Sequence, residues 1–381
     1  MTRTAAQRAE IAPFYVMEVM RAAELRAAAG EEVLHLEVGQ PSTPAPRGVI
    51  EAAHRALDED VLGYSTAAGI EPLRRRVAAH YDDWYGVSVD PDAVMLTVGA
   101  SGAFVAAFMA AFDPGDRVVV PTPGYPCYRN ALELLGCEVV SLSTSADTRF
   151  QPTVEQLSAL GPINGLVLSS PSNPTGTMLD AAQMQAIVEW CRANDVWFVS
   201  DEIYHGITFG EAAPTALQFD ADAIVVNSFS KYFSMTGWRL GWLIAPLALR
   251  TALTRIGQNA TIAAPTLSQL GALAAFDCHD DCEANIARYA RNRAVLLEGL
   301  PAAGLDRLAP ADGAFYIWAQ TDHLADDSQE LCARWLDELG IAATPGIDFD
   351  PAEGHRFVRF SFAGSETDVA EAVTRLRDWT P

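Results

Sequence analysis

Between residues 94 and 245 short apolar runs alternate with amphipathic helical patterns, and this alternation limits the folds open to the chain. Val94 to Val98, Arg117 to Val120, Glu138 to Leu142, Gly165 to Ser169, Trp197 to Ser200, Ala223 to Asn227 and Leu240 to Ala245 read as strands. Ser101 to Phe112, Asn130 to Leu135 and Ala181 to Asn194 read as helices between them. Strands that are apolar on both sides, each followed by a helix, predict an α/β fold with a mostly parallel central sheet and helices on both faces. Leu240 to Ala245 follows its predecessor with no room for a clear crossover helix, which leaves an antiparallel run open there.

The two ends of the chain follow a different pattern. A helix is expected from Val16 to Ala29, ahead of the proline-rich turn Pro41 to Pro46. A long helical stretch from about Thr266 to Leu300 leads into a mixed region. There Gly313 to Trp318 and Arg356 to Phe362 read as strands, and Ser328 to Leu339 and Thr367 to Asp378 as helices. With 381 residues the chain has room for two cores. Residues 48–280 are expected to form the large domain. Residues 1–47 and 281–381 are expected to join in one smaller α+β domain. No internal repeat is visible.

Charge removes some partners from consideration. The 26 basic residues face 49 acidic ones, for a net charge of −23 and a pI near 4.6. A field of that sign repels nucleic-acid backbones and anionic lipid surfaces, so neither nucleic acid nor membrane is expected as a partner. Met1 to Glu10 is polar, no signal-peptide core follows, and no apolar run is long enough to span a bilayer. The six cysteines are dispersed, in the manner of reduced thiols in a cytoplasmic protein. Cys278-His279-Asp280-Asp281-Cys282 stands alone, without a second ligand pair at zinc-like spacing, so no metal is expected.

Ligands of open α/β sheets bind beyond the carboxyl ends of the strands, and the unusual polar residues fall at those ends. Gly99-Ala100-Ser101-Gly102 opens a helix and offers backbone N–H groups to an anion, although a serine N-cap accounts for it equally well. The next strand ends deliver Ser170 to Gly176, containing Asn173, and then Asp201-Glu202-Ile203-Tyr204. A carboxylate at the end of an apolar strand calls for a cationic partner. Ser228, Ser230 and Lys231 follow, with Arg239 eight residues further on. Lys231 is the only lysine; every other basic residue is arginine. That pattern is either compositional drift or a position that needs a primary amine, because a guanidinium cannot form an imine. An amine, a carboxylate, a phosphate seat and donors for an oxyanion together suit pyridoxal phosphate.

The chain resembles the class I/II aminotransferases, fold-type I pyridoxal phosphate enzymes, over nearly its full length. The resemblance is carried, in order, by Tyr64 with Gly69 and Leu73-Arg74, by Asn173-Pro174-Thr175-Gly176, and by Asp201-Glu202-Ile203-Tyr204. Ser228 to Lys231 with Gly237 to Gly241, Gly313 to Tyr316, and Arg359 to Phe362 complete it. It implies that Lys231 is the Schiff-base lysine, which moves the proton between the substrate Cα and the cofactor's C4′. Asp201 would pair with the pyridine nitrogen, Asn173 and Tyr204 with the ring oxygen, and Tyr125 would stack on the ring. Ala100, Ser101, Ser228, Ser230 and Arg239 would hold the phosphate, helped by Tyr64 from a neighbouring subunit, so the resemblance also implies a homodimer with shared active sites. Arg359, with Asn173, would bind the substrate carboxylate, Gly39 allowing its close approach to the backbone.

Two positions depart from the family pattern. Ser101 stands where relatives often have lysine or glutamine, and Asp350 follows Phe349 where they often have glycine. The implied activity is transfer of an amino group from an L-amino acid to a 2-oxo acid. A carbon-sulfur β-lyase would use the same residues and differ only in whether a β-substituent is expelled. A non-catalytic sensor carrying a DNA-binding module would need a basic helical domain before residue 1, and the acidic charge opposes it. The side-chain pocket is expected from loops near Phe14-Tyr15, the Pro41 to Pro46 turn, the partner subunit and the region around Ile347, and no residue spacing there identifies the amino acid.

Overall fold

The computed structural model describes residues 4–380. In chain order its main elements begin with α1 (Tyr15–Ala28), β1 (Leu34–His35), α2 (Arg47–Glu59) and α3 (Glu71–Tyr85). The alternating region follows: β2 (Val94–Thr97), α4 (Gly99–Ala111), β3 (Arg117–Thr122), α5 (Pro126–Leu135), β4 (Glu138–Ser143), α6 (Val154–Ser158), β5 (Gly165–Ser169), α7 (Ala181–Ala193), β6 (Trp197–Asp201), β7 (Ile224–Ser228) and β8 (Gly241–Ile244). The chain then runs through α8 (Leu247–Ala260), α9 (Thr266–Ala272), α10 (His279–Gly299), β9 (Tyr316–Gln320), α11 (Ser328–Arg334), β10 (Ile341–Ala342), β11 (Thr344–Pro345), β12 (Phe357–Ser361) and α12 (Glu366–Asp378).

All seven expected strands of the middle region form one sheet, in the order β2-β8-β7-β6-β5-β3-β4. Only β8 runs against its neighbours. The α/β expectation therefore holds, and the short β7 to β8 connection is the antiparallel step. Fully buried strands such as β2, β7 and β8 need cover on both faces, and two apolar clusters supply it. One centres on Leu166, Phe198 and Trp242, the other on Phe104, Phe108 and Val199.

Beyond the large sheet, β11, β12 and β9 form an antiparallel ladder, and β1 pairs in parallel with β10. Leu34 opposite Ile341 thus ties the N-terminal part of the chain to its last forty or so residues. The predicted helix from Thr266 to Leu300 is broken between α9 and α10 by a 3₁₀ turn at Ala275–Asp277. Phe276 leaves the helical path there to pack on Phe229, Phe233 and His80. Aspartates 280 and 281 then restart the helix in its first turn, where negative charge favours the dipole. The predicted strand from Gly313 starts only at Tyr316, because Ala314 takes a positive φ of 56° that ends extended pairing. Cys278 Sγ bonds the Ala274 carbonyl at 3.2 Å within its own turn, and Cys282 is buried.

Candidate active site

The parallel strands end at one edge of the sheet, and α1 crosses over that edge to close a cavity of about 550 Å³. Every residue to which the resemblance gives a role lines this cavity except Ser228 and Tyr64. Ser228 is buried one layer below, its Oγ accepting the Ser230 N–H at 3.1 Å, so it braces Ser230. Tyr64 stands 85% exposed outside the cavity.

The anion seat is built by glycines. Gly99 has φ +68°, and a Cβ there would lie 2.5 Å from Arg239 Nη2. Glycine is thus the residue that lets the start of α4 turn sharply against the guanidinium. The N-cap of α4 is Val98, which supplies no side-chain acceptor. This overturns the serine-cap alternative: Ser101 lies inside the first turn, exposed to the cavity, and leaves that helix end open to an anion.

Asp201, 3% exposed at the end of β6, has Oδ1 accepting the Ile203 N–H at 3.0 Å and Oδ2 accepting the Tyr128 hydroxyl. Burial raises its carboxyl to about 6, opposed by those two donors and by Lys231. Lys231 Nζ donates to the Gly39 carbonyl and lies 5.7 Å from the Tyr204 ring centre. Burial is the main force lowering this amine to about 8; Arg359 and Arg239 push the same way, and Asp201 opposes them. An amine so placed is neutral far more often at pH 7 than an exposed lysine, and nucleophilic attack requires the neutral form.

Arg359, on β12 and 3% exposed, lies between the rings of Tyr316 (4.4 Å) and Phe349 (4.7 Å). Its Nη1 donates to Asn173 Oδ1 at 2.9 Å, and Nη2 to the Glu37 carbonyl and to Thr344 Oγ1 at 3.2 Å. Its Nε is buried without a partner. Arg359 lines the cavity, and a guanidinium there with one Nη1 N–H left over suits an anionic ligand. Tyr204 shares a 2.7 Å hydrogen bond with Tyr316, and Tyr125 meets Phe14 and Tyr128 edge to face at 5.9 and 5.4 Å.

Several contributors escaped the sequence reading. Tyr128 lies in the first turn of α5, three residues after the N-cap residue Tyr125, a proximity that could have flagged it. Tyr316 lay within a quoted motif but received no role. Of the apolar wall, Phe14 falls in the Phe14-Tyr15 stretch expected near the substrate's side chain, whereas Val16, Met17, Met20 and Val38 were not singled out. Glu202, next to Asp201, faces away into the interior, where Ser200, Thr215 and the Ala216 N–H donate to its Oε1. His205 bridges the Tyr85 hydroxyl (2.7 Å) and the Ser170 carbonyl (3.0 Å), which steadies the loop carrying Asn173. Asp350 caps its own turn through the Ala352 and Glu353 N–H groups and does not reach the cavity.

The donor set fits pyridoxal phosphate: an open helix start beside Arg239 and Ser230 for the phosphate, a buried carboxylate for the ring nitrogen, and the lone amine between them. Residues 31–376 match the family model for aminotransferase class I and II. The chain is 49% identical, over the full length of both proteins, to a valine–pyruvate aminotransferase of Mycobacterium tuberculosis. It is 35% identical to an aspartate/prephenate aminotransferase of Thermus thermophilus, over 93% of each chain. The crystal structure of an aminotransferase from Mycobacterium tuberculosis superposes with a TM-score of 0.97 at 48% identity, covering 99% of each chain. The chain belongs to the class I and II aminotransferases, enzymes that move an amino group between amino acids and 2-oxo acids.

Proposed function

We propose that this aminotransferase takes a neutral aliphatic L-amino acid as donor and a small 2-oxo acid as acceptor, with pyridoxal phosphate as cofactor. The observation that carries this reading is the division of the cavity. Its cations are Lys231, Arg239 and Arg359, and the wall built by Phe14, Val16, Met17, Met20 and Val38 is apolar. Once Arg239 holds a phosphate and Lys231 supplies the reactive amine, Arg359 is the cation left for a carboxylate, so an acidic side chain would meet no partner among the described residues. The name of the Mycobacterium tuberculosis relative, a valine–pyruvate aminotransferase, supports the same class.

Bound pyridoxal phosphate supplies a carbonyl for imine formation and a ring that accepts electrons from the substrate Cα. The chain's own residues have these roles in the proposal. Arg359 binds the α-carboxylate through the guanidinium edge that lines the cavity, aided by the space that Gly39 leaves at the Tyr316 hydroxyl, where a Cβ would come within 2.0 Å. Lys231 Nζ would take the proton from the substrate Cα and deliver it to the cofactor's C4′. Asp201, oriented by Tyr128, holds a proton at the ring nitrogen, and Asn173 and Tyr204 donate to the ring oxygen. Ala100, Ser101, Ser230 and Arg239 seat the phosphate, with Ser228 bracing Ser230. Tyr125 packs on the ring.

Residues 1–47 and 281–381 serve in this proposal as the small domain that carries Arg359 against the large domain at 48–280. A homodimer completes the sites, with Tyr64 and the nearby Val61, 96% exposed, meeting the second copy. All six cysteines are free, in keeping with a cytoplasmic, reducing setting, and among the described residues no helix is long and apolar enough to cross a membrane. The test is a half-reaction screen. Loaded protein is mixed with single amino acids and no acceptor, while the visible band of bound cofactor is followed. One stoichiometric conversion with valine or alanine, and none with aspartate, supports the proposal. Repeated turnover releasing ammonia would establish the β-lyase chemistry instead.

A further inference from the structure

Helix α1 forms the apolar wall of the cavity yet has no cap of its own. Its N-cap residue is Phe14, which cannot accept a hydrogen bond, and the four leading N–H groups of a helix need acceptors. The acceptor comes from the other end of the chain. Asp348 Oδ1 accepts the Tyr15 N–H and Oδ2 accepts the Val16 N–H, each at 3.1 Å and across more than 330 positions. Asp348 is 2% exposed. A carboxylate at that helix end also faces the positive pole of the dipole.

We infer that Asp348 is a positioning residue that seats α1 over the substrate's side chain and thereby sets which amino acids the site accepts. The chain of contacts is continuous. Asp348 is followed by Phe349, whose ring packs on the Arg359 guanidinium, the proposed carboxylate seat. Phe349 in turn accepts the Gly124 N–H at 3.0 Å through its carbonyl, beside Tyr125. From the capped end of α1 project Val16, Met17 and, one turn on, Met20, all lining the cavity. Phe14 abuts Tyr125 from the same end. One carboxylate therefore joins the wall that meets the substrate's side chain to the loop that packs on the residue meeting its carboxylate. No other side chain caps this helix start.

The specificity part of this inference rests on the aminotransferase reading above, so the test includes a measurement that does not need activity. Asp348→Ala removes both acceptors, and Asp348→Asn retains one in nearly the same volume. Arg21 is exposed in the middle of α1, and trypsin reaches it only when the helix opens. Loss of a two-acceptor cap is expected to accelerate cleavage after Arg21 by roughly tenfold in the Ala variant and by less in the Asn variant. In the loaded enzyme KM for valine is expected to rise about tenfold with kcat changing less than threefold. The preference for valine over alanine is expected to shrink, while affinity for pyridoxal phosphate stays constant. Unchanged cleavage in both variants overturns the clamp. Faster cleavage with an unchanged valine-to-alanine preference overturns its role in specificity. If the wild-type protein shows no half-reaction with any amino acid, the functional proposal fails while the cleavage rates still decide the clamp.

Discussion

Replacing Arg359 by lysine keeps a positive charge and removes the fork. Three of the five N–H donors of this guanidinium are engaged, by Asn173, Glu37 and Thr344; Nε is enclosed by protein, and one N–H of Nη1 is left over for a ligand. A substrate carboxylate supplies the missing acceptors. Charge-assisted hydrogen bonds contribute about 1.5–3 kcal/mol each, so losing the paired geometry while a lysine keeps part of the attraction costs about 2–5 kcal/mol of binding. That corresponds to a loss in kcat/KM of roughly thirtyfold to a few thousandfold. The assay compares the half-reaction of valine with that of isobutylamine, which is valine without its carboxylate. Arg359→Lys is expected to depress valine by that factor and to leave the amine within about threefold. Because Asn173 Oδ1 and the Glu37 carbonyl each lose a donor, urea unfolding should show a drop of about 1–4 kcal/mol, and kinetics belong at low temperature. Equal losses for valine and isobutylamine, or valine retained within threefold, would refute the assignment of Arg359 as the carboxylate seat.

Three further outcomes follow from the geometry. Lys231→Arg should abolish the visible band of bound cofactor and reduce turnover by more than about 10³-fold, since a guanidinium neither forms the imine nor shuttles the proton; multiple-turnover activity in this variant would contradict it. Gly99→Ala should weaken pyridoxal phosphate binding to the apoprotein roughly tenfold and lower stability by about 1–2 kcal/mol, because its φ of +68° strains any Cβ and that Cβ displaces Arg239; a titration giving the wild-type affinity would count against the seat. His80, buried among aromatic rings, is lowered by burial to about 4. Its folded value lies below its unfolded one, so the unfolded chain binds the proton first and stability is lost as pH falls from about 6.5 towards 4. Between pH 7 and pH 4.5 His80→Gln should lose roughly 2 kcal/mol less than wild type in urea titrations, and parallel losses would show that His80 does not titrate as described.

What the sequence determined by itself is local. Strand and helix alternation is written in runs of four to thirteen residues, and it sufficed to locate the seven strands of the large sheet and to suggest the reversal at β8, whereas their order came from the fold. The lone lysine, the aspartate ending β6 and the glycine opening α4 were legible because their chemistry is unusual for their positions. The tertiary structure alone decided which distant groups share a buried volume. Asp348 became the cap of a helix more than 330 residues earlier, Tyr128 became the donor to Asp201, and Tyr316 and Phe349 came to enclose Arg359. It also withdrew Ser228 beneath the cavity floor and left Tyr64 in solvent. Periodicity and propensity act over one or two turns of chain, whereas desolvation and hydrogen-bond pairing depend on neighbours that only the packed fold supplies.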